Sequence, residues 1–334
     1  MSGVDALRSV GLRTAPTTRG LRRWLLRPEA PAAVFLVVLL AAFSLAADRF
    51  LSPDNLESIL VQVAVLGIIA LAVNQVILAG EIDISVGSML GLCAVAVGTV
   101  ATATGGLLAP LAAGVATGVL AGAVNGLLVT LGRIPSIIVT LGMLYALRGV
   151  FLLLTGGTWI TQIPDETRVL GLAKLAGVSL PVFVMFALFL IVNAVSRNST
   201  WGRDVFAVGG NRRAARLAGL AIDRTRLLAF ALVGAFVGIA ATIYVGRAGS
   251  VQTNAGEGLE LQVIAAVVIG GTSIAGGRGS ALAPVIGAVL IGVILNGMIL
   301  VGVPGVWQSA VLGALILLAV TTDALRRRLV GGAA

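Results

Sequence analysis

The chain has 334 residues, 58% of them apolar and only 11% charged, with a formal net charge of +9. So few charged groups cannot clothe a water-soluble globule of this size, and the outer surface is read as facing membrane lipid. With no histidine and one cysteine, Cys93, set in an apolar stretch, the chain excludes internal disulfides, His-based metal sites and Ser-His or Cys-His catalysis. The positive charge falls in short arginine clusters between apolar runs, a pattern of membrane topology and not of nucleic-acid binding, so no nucleic-acid partner is expected.

Residues 1–29 carry six arginines and no apolar run of signal length; they are read as a cytoplasmic N-terminal tail leading into a retained first helix. Charges then serve as a ruler, because an unpaired charge inside hydrocarbon costs several kcal/mol. Uncharged runs predict spans over 30–47 and 58–80, then two across 84–132 with a turn at Thr104-Gly105-Gly106. A fifth covers 134–155, interrupted only by Arg148; a sixth covers 175–196 and a seventh 227–246. The eighth, 261–277, is short and ends in glycines, so it is expected to be tilted, broken or extended back past Glu260. Residues 280–322 hold two more, divided near Gly302-Val303-Pro304-Gly305.

The expected fold is therefore an all-α polytopic bundle of about ten spans with one or more broken helices. It divides into the tail 1–29, a membrane domain 30–325 and a cytoplasmic tail 326–334. Arginine placement supports an even count with both ends inside: the N-terminal six, Arg133, the seven from Arg197 to Arg226, Arg278 and Arg326 to Arg328 share one side. Only Arg49, Arg168, Lys174 and Arg247 fall on the other.

Gly114, Gly118, Gly122 and Gly126 recur every four residues and let a second backbone approach closely, either within the subunit or at a subunit interface. The Val65, Leu66, Ile68 and Ile69 run reads as lipid-facing or core filler. The glycine-rich stretch 270–280 has neither a Walker lysine nor a Gly-x-Gly-x-x-Gly pattern, so it reads as a bend or a close approach between helices and not as a nucleotide loop.

The longest polar segment inside the membrane domain is 197–226. Within it, Asn211 is suited to cap a short helix and Gly219 to end it, over Arg212, Arg213, Ala214, Ala215, Arg216, Leu217 and Ala218. Ala214 with Ala218, and Ala215 with Gly219, leave a flat face flanked by arginines that suits a protein groove. A solvated basic loop that only enforces topology is the other reading.

Four stretches carry a resemblance. Gly80-Glu81-Ile82-Asp83-Ile84-Ser85-Val86-Gly87-Ser88 is similar to the Gly-Gly-Ile-Asp-Leu-Ser-Val-Gly-Ser of the ribose-type permeases of ABC importers, within the branched-chain-amino-acid/ribose permease family. Pro135-Ser136-Ile137-Ile138-Val139-Thr140-Leu141-Gly142, continuing to Arg148-Gly149, is similar to that family's Pro-Ser-Phe-Ile-Val-Thr-Leu-Gly segment. The third runs from Gly202-Arg203 through Ala207-Val208-Gly209-Gly210-Asn211 to Ala214-Ala215 and Gly219, and the fourth from Glu260 through Ile264-Ala265-Ala266 to Gly270-Gly271-Thr272 and Gly276-Gly277.

The resemblance implies a permease subunit of an importer in the inner (plasma) membrane, without covalent chemistry or a cofactor of its own. ATP and Mg belong to an ABC ATP-binding subunit. The other implied partners are a second permease copy or homologue and a periplasmic or lipid-anchored solute-binding protein delivering a sugar or sugar-like solute near 164–174 and 247–257. It also implies that Gly209, Gly210, Asn211, Ala214, Ala215 and Gly219 form the segment docked on the ATPase, although Arg213 stands where the importer signature often has glutamate.

Glu81 departs from the family's usual glycine. Three readings of Glu81 and Asp83 stay open: both at the cytoplasmic interface with Asp83 capping the third helix, a broken helix lining the pathway, or proton coupling by a buried Glu81. Pathway candidates are Glu81, Asp83, Ser85, Asn74, Asn125 and Asn296, with Gln75, Asn193, Gln262 and Gln308 as further polar residues within spans; each such amide can equally make an interhelical hydrogen bond. Arg148 is expected to snorkel to the outer interface or to pair with a carboxylate such as Glu260. A secondary transporter is the main rival reading, and it calls for a charged midplane site with inverted repeats; a channel or a structural subunit is a third.

Overall fold

A computed structural model of the chain describes residues 29–331, with side chains as far as Thr321. The six N-terminal arginines and the side chains of Arg326 to Arg328 lie outside the described residues. Ten apolar helices run through the described part: α1 (Ala30–Ala46), α2 (Pro53–Leu78), α3 (Val86–Thr104), α4 (Leu108–Thr130), α5 (Ser136–Thr155), α7 (Leu180–Asn198), α10 (Ile222–Ala248), α11 (Leu259–Ile269), α12 (Ala283–Leu300) and α13 (Val306–Gly331). Three short helices join them: α6 (Asp165–Leu172), α8 (Thr200–Gly210) and α9 (Arg212–Leu217). Seven of the apolar helices are long and apolar enough to cross a bilayer; α1, α11 and the apolar part of α13 are shorter. The protein is an all-α polytopic membrane protein.

Several helix ends differ from the uncharged runs. α2 begins at Pro53 and carries Asp54 and Glu57, and α10 begins at Ile222 and carries Asp223, Arg224 and Arg226. Charge marks where hydrocarbon ends, whereas the helical hydrogen-bond ladder continues into the interface. The run expected to open a span at 175 starts instead as an antiparallel hairpin of two-residue strands, β1 (Lys174–Leu175) and β2 (Val178–Ser179), turning at Ala176 and Gly177, both at positive φ. Helix α13 runs on to Gly331, into the stretch read as a C-terminal tail.

The most extensive helix pairing is α4 against α10, and the glycine stripe makes it. A Cβ on Gly118 would enter the Gly234 carbonyl, one on Gly122 the Phe230 carbonyl, and one on Gly126 would come within 2.7 Å of Leu227 Cδ1. On the other face of the seam, Gly234 and Gly238 meet the carbonyls of Gly118 and Gly114. The stripe is thus a packing seam within the subunit, where close backbone approach replaces the hydrophobic drive that lipid cannot supply. Leu66, Ile68 and Ile69 are core residues.

Charged side chains gather at two ends. At one, Arg133, Arg212, Arg216 and Arg226 line a single cleft. At the other, Lys174 Nζ donates to Glu57 Oε2 at 2.6 Å, Arg247 Nη2 to Ser58 Oγ at 3.4 Å, and Arg168 Nε to the Gly246 carbonyl at 3.3 Å. The four arginines of the cleft and the three basic residues of the other end belong to the two separate sets into which the arginine pattern divides the chain.

Candidate functional site

Three glycine-bearing segments converge at the arginine-rich end. A Cβ on Gly276 would lie 2.9 Å from Gly80 Cα, one on Gly209 would strike the Leu78 carbonyl, and one on Gly277 would strike Gly210. The Gly277 amide donates to that same Leu78 carbonyl at 2.9 Å. The glycines of 270–280 therefore let α2, α8 and the loop after α11 share one backbone junction, as a close approach between helices requires.

The chain leaves this junction through Glu81, which is nearly buried. Its Oε1 accepts from Nη2 of Arg226 at 2.7 Å and also pairs with Nη2 of Arg212. Arg226 Nη1 further reaches Asp223 at 3.6 Å. One carboxylate thus joins α9, the first turn of α10 and the segment 80–85.

That segment is irregular and largely buried, and its polar groups are met by protein. The Ile82 amide donates to Ser136 Oγ at 3.2 Å, and Thr140 Oγ1 donates to the Ile82 carbonyl at 3.4 Å. Asp83 is fully buried and accepts from both the amide and the hydroxyl of Ser85, at 2.9 and 2.6 Å. Asn125 Nδ2 on α4 closes the cluster at 2.8 Å from Ser85 Oγ and 3.4 Å from Asp83 Oδ2. On one of the three open readings Asp83 caps α3; the amide that it holds belongs to Ser85, the residue before the helix, and Ser85 makes no side-chain cap of its own. Asn125 stands five residues before the end of α4, about 7 Å inside it at 1.5 Å per residue. Helix α3 therefore begins well within the bundle.

A second irregular segment descends from the opposite end. After α10 the backbone pairs Val251 with Ile160 and then follows α3 inward. Val251 meets Gly98, the Ala255 carbonyl meets Gly91, and Gly256 meets Gly87. Eleven residues of α3 correspond to about 16 Å. Arg148 Nη1 donates to the Ala255 carbonyl at 2.9 Å, with its guanidinium 5.4 Å above the Phe151 ring. It serves this inward-running backbone, and among the described residues it forms no ion pair with Glu260, a pairing that is one of the two outcomes expected for it. Helix α11 then starts at Leu259, one residue before Glu260, and stops at Ile269, only 11 residues long. Irregular backbone at such depth persists only where protein or a water-filled path satisfies it.

Two adjoining cavities, of about 450 and 240 Å³, open beside this segment and share Val65, Tyr244, Leu259 and Gln262. Gln62, Gln252, Asn254 and Glu257 supply further polar groups, with Arg247 at the rim. Of the amides named from sequence, Gln262 lies here.

Asn74, Gln75 and Asn296 sit in tertiary hydrogen bonds, Gln75 Oε1 accepting from Ser196 Oγ at 3.4 Å. Asn74 accepts from Thr272 Oγ1 at 2.7 Å and donates to the Ser280 carbonyl at 3.1 Å. Asn296 and Asn55 exchange hydrogen bonds at 2.8 and 3.0 Å. Glu81 lines the arginine cleft. Gln62 and Tyr244 were not picked out from sequence, although Gln62 is a lone amide near the start of an apolar run and Tyr244 is one of only two tyrosines in the chain.

Helix α9 forms as its ends dictate: Asn211 Oδ1 accepts from the Ala214 amide at 2.9 Å, and Gly219 follows at φ +75°. The small-residue face is turned, however. Ala215 is buried among Val208, Leu220 and Ile222, while Ala214, Leu217 and Ala218 are exposed.

The family described as branched-chain amino acid transport system / permease component matches residues 55–320. The chain belongs to this permease family. The ribose import permease protein RbsC of Escherichia coli (strain K12) is 37% identical over 318 residues, covering 93% of this chain and 98% of that protein. The autoinducer 2 import system permease proteins LsrC of Klebsiella pneumoniae subsp. pneumoniae and of Yersinia pseudotuberculosis serotype O:3 are 38% and 33% identical, over 89% and 86% of this chain and 86% and 82% of theirs. The permease match takes in the junction, the cavities and α9. The chain is a multi-pass membrane permease of the ABC importer type.

Proposed function

We propose that this permease carries a sugar or sugar-like solute inward through the inner membrane as half of an ATP-driven importer. The observation that carries the reading is α9. It is a capped helix exposing Ala214, Leu217 and Ala218 at the arginine-rich end, tied through Glu81 to the segment that opens α3. Similarity to ribose and autoinducer 2 permeases supports the solute class, and cavities whose polar lining is mainly amides and a tyrosine, with Glu257 and Arg247 as the charged groups, suit a polyhydroxylated solute that must be held weakly and released.

Ten spans with both ends in the cytoplasm fit the arginine segregation, with α1, α11 and α13 counted as crossings beside the seven longer helices and α11 completed by irregular segments. The membrane domain 30–325 then lies between the tails 1–29 and 326–334, with 197–226 as its coupling segment. ATP and Mg bind a separate ABC subunit on α9, a second copy or homologue completes the pathway, and a periplasmic or lipid-anchored binding protein delivers solute beside the cavities.

Closure of two ATP-loaded subunits would move α9. The Glu81 pairs transmit that motion to 80–85, and the Asp83, Ser85 and Asn125 cluster passes it to α3, whose first turn packs on Gly256 beneath the cavities. Asn74 and Asn296 hold neighbouring helices in register on this reading, and the solute meets Gln62, Tyr244 and Gln262. Reconstitution tests it: uptake should require the ATP-binding partner, and uptake by the permease alone would overturn the reading in favour of a secondary transporter.

A further inference from the structure

A cleft of about 710 Å³ lies between the α4–α5 turn, the segment 80–85 and α9. Four guanidiniums line it, those of Arg133, Arg212, Arg216 and Arg226, against two carboxylates, Glu81 and Asp223, which leaves an excess of two positive charges. Glu81 is already shared by Arg212 and Arg226, and Asp223 pairs with Arg226. Among the described residues, no ion pair involves Arg133 or Arg216. Arg226 is nearly buried and keeps its Nε–H without an acceptor. Arg133 also holds φ at +55°, a left-handed position that a glycine would adopt without strain. Such an outlier invites a functional reading. Thr130 and Ser136 complete the wall, and the 20-residue helix α5 opens at Ser136 with the positive end of its dipole toward the cleft.

We infer that this cleft is an anion site that takes a phosphate group carried on a larger molecule. Guanidinium forks match phosphate oxygens in pairs, and the volume leaves room for an organic remainder. An acidic side chain of the ATP-binding partner is the competing occupant, and the geometry of α9 disfavours it. Arg212 and Arg216 lie one turn apart on the cleft side, whereas the exposed Ala214, Leu217 and Ala218 point elsewhere around the helix. A phosphate bridging Arg133 to Arg216 would hold α9 against the body of the permease and slow its movement. The binding does not rest on the transport reading; only this consequence does.

The phosphate can belong to a lipid headgroup or to a soluble ester, and two measurements on the full chain separate these sources. Calorimetry in neutral detergent uses inorganic pyrophosphate, and native mass spectrometry measures retention of phosphatidylglycerol over phosphatidylcholine. Wild type binds at least one probe, and Arg133→Gln and Arg216→Gln each weaken it roughly tenfold, as loss of a charged hydrogen bond predicts. Arg133→Lys, which keeps the charge but not the fork, restores only part of the binding lost in Arg133→Gln, and Arg213→Gln, outside the cleft, leaves it unchanged. Retained phosphatidylglycerol assigns the lipid source, and pyrophosphate binding assigns the soluble one. If neither probe binds, if both bind the double Gln variant as they bind wild type, or if adding the ATP-binding subunit expels the probe, the inference is overturned.

Discussion

Glu81 and Arg226 meet at 2.7 Å across 145 positions of sequence, and both side chains are almost withdrawn from solvent. Breaking such a pair by removing one partner leaves a buried charge uncompensated, at a cost of about 3–5 kcal/mol. The Arg212 contact adds less, because that side chain is 44% exposed. Glu81→Gln is therefore expected to lower stability by about 3 kcal/mol. It should also reduce solute uptake per ATP hydrolysed, since α9 would move without drawing 80–85. The double variant Glu81→Gln/Arg226→Gln should recover part of the stability but not the coupling. Simultaneous measurement of uptake and phosphate release in liposomes separates the two effects, and unaltered coupling in both variants would refute transmission through Glu81.

Gly118 and Gly234 bring two backbones together with no room for a methyl group. Gly118→Ala should cost roughly 3 kcal/mol or more, because overpacking here presses on backbone and not on a side chain that can rotate away. At Gly142 a Cβ meets nothing within 4 Å, so Gly142→Ala should be neutral or gain up to about 1 kcal/mol of helix propensity. Thermal unfolding in detergent compares the two; equal midpoints would mean that the seam does not hold the fold.

The apolar helices were legible because lipid permits few charges, and the turn at Thr104-Gly105-Gly106 because both glycines adopt positive φ. Helix ends were less so, as at Pro53 and Ile222, where helices continue past the first charges. The cap at Asn211 was legible because it is local: its acceptor serves an amide three residues on. Which face of α9 is buried was not, since Ala215 faces inward only because Val208 and Ile222 lie beneath it. The partners of Glu81 and the amides of the cavities also escaped the sequence, because tertiary packing alone brings such distant positions together.

The orientation of α9 has its own consequence. Ala215→Glu would force a carboxylate among Val208, Leu220 and Ile222 and should loosen α8 and α9, detected as new protease cleavage within 205–222. Leu217 is 84% exposed, and Leu217→Glu should leave proteolysis unchanged while weakening association with the ATP-binding subunit. Pull-down and limited proteolysis together decide. Wild-type association by Leu217→Glu would remove this face from the docking surface.

The last prediction separates amides that meet solute from amides that tie helices. Gln262 faces the cavities and has no hydrogen-bond partner among the described residues, whereas Asn296 exchanges two hydrogen bonds with Asn55. Gln262→Leu removes one neutral hydrogen bond to a passing solute, a net loss of about 0.5–1.5 kcal/mol, so the apparent KM for uptake should rise several-fold with basal ATPase activity and thermal stability preserved. Asn296→Leu instead leaves the Oδ1 of half-buried Asn55 without its donor, while Asn55 Nδ2 keeps the Phe50 carbonyl, and should lower stability by about 1–3 kcal/mol with KM unchanged. Uptake kinetics and thermal unfolding on the same preparations form the check. If Asn296→Leu raises KM while Gln262→Leu leaves it alone, the solute passes along α12 and not through the cavities between α2, α10 and α11.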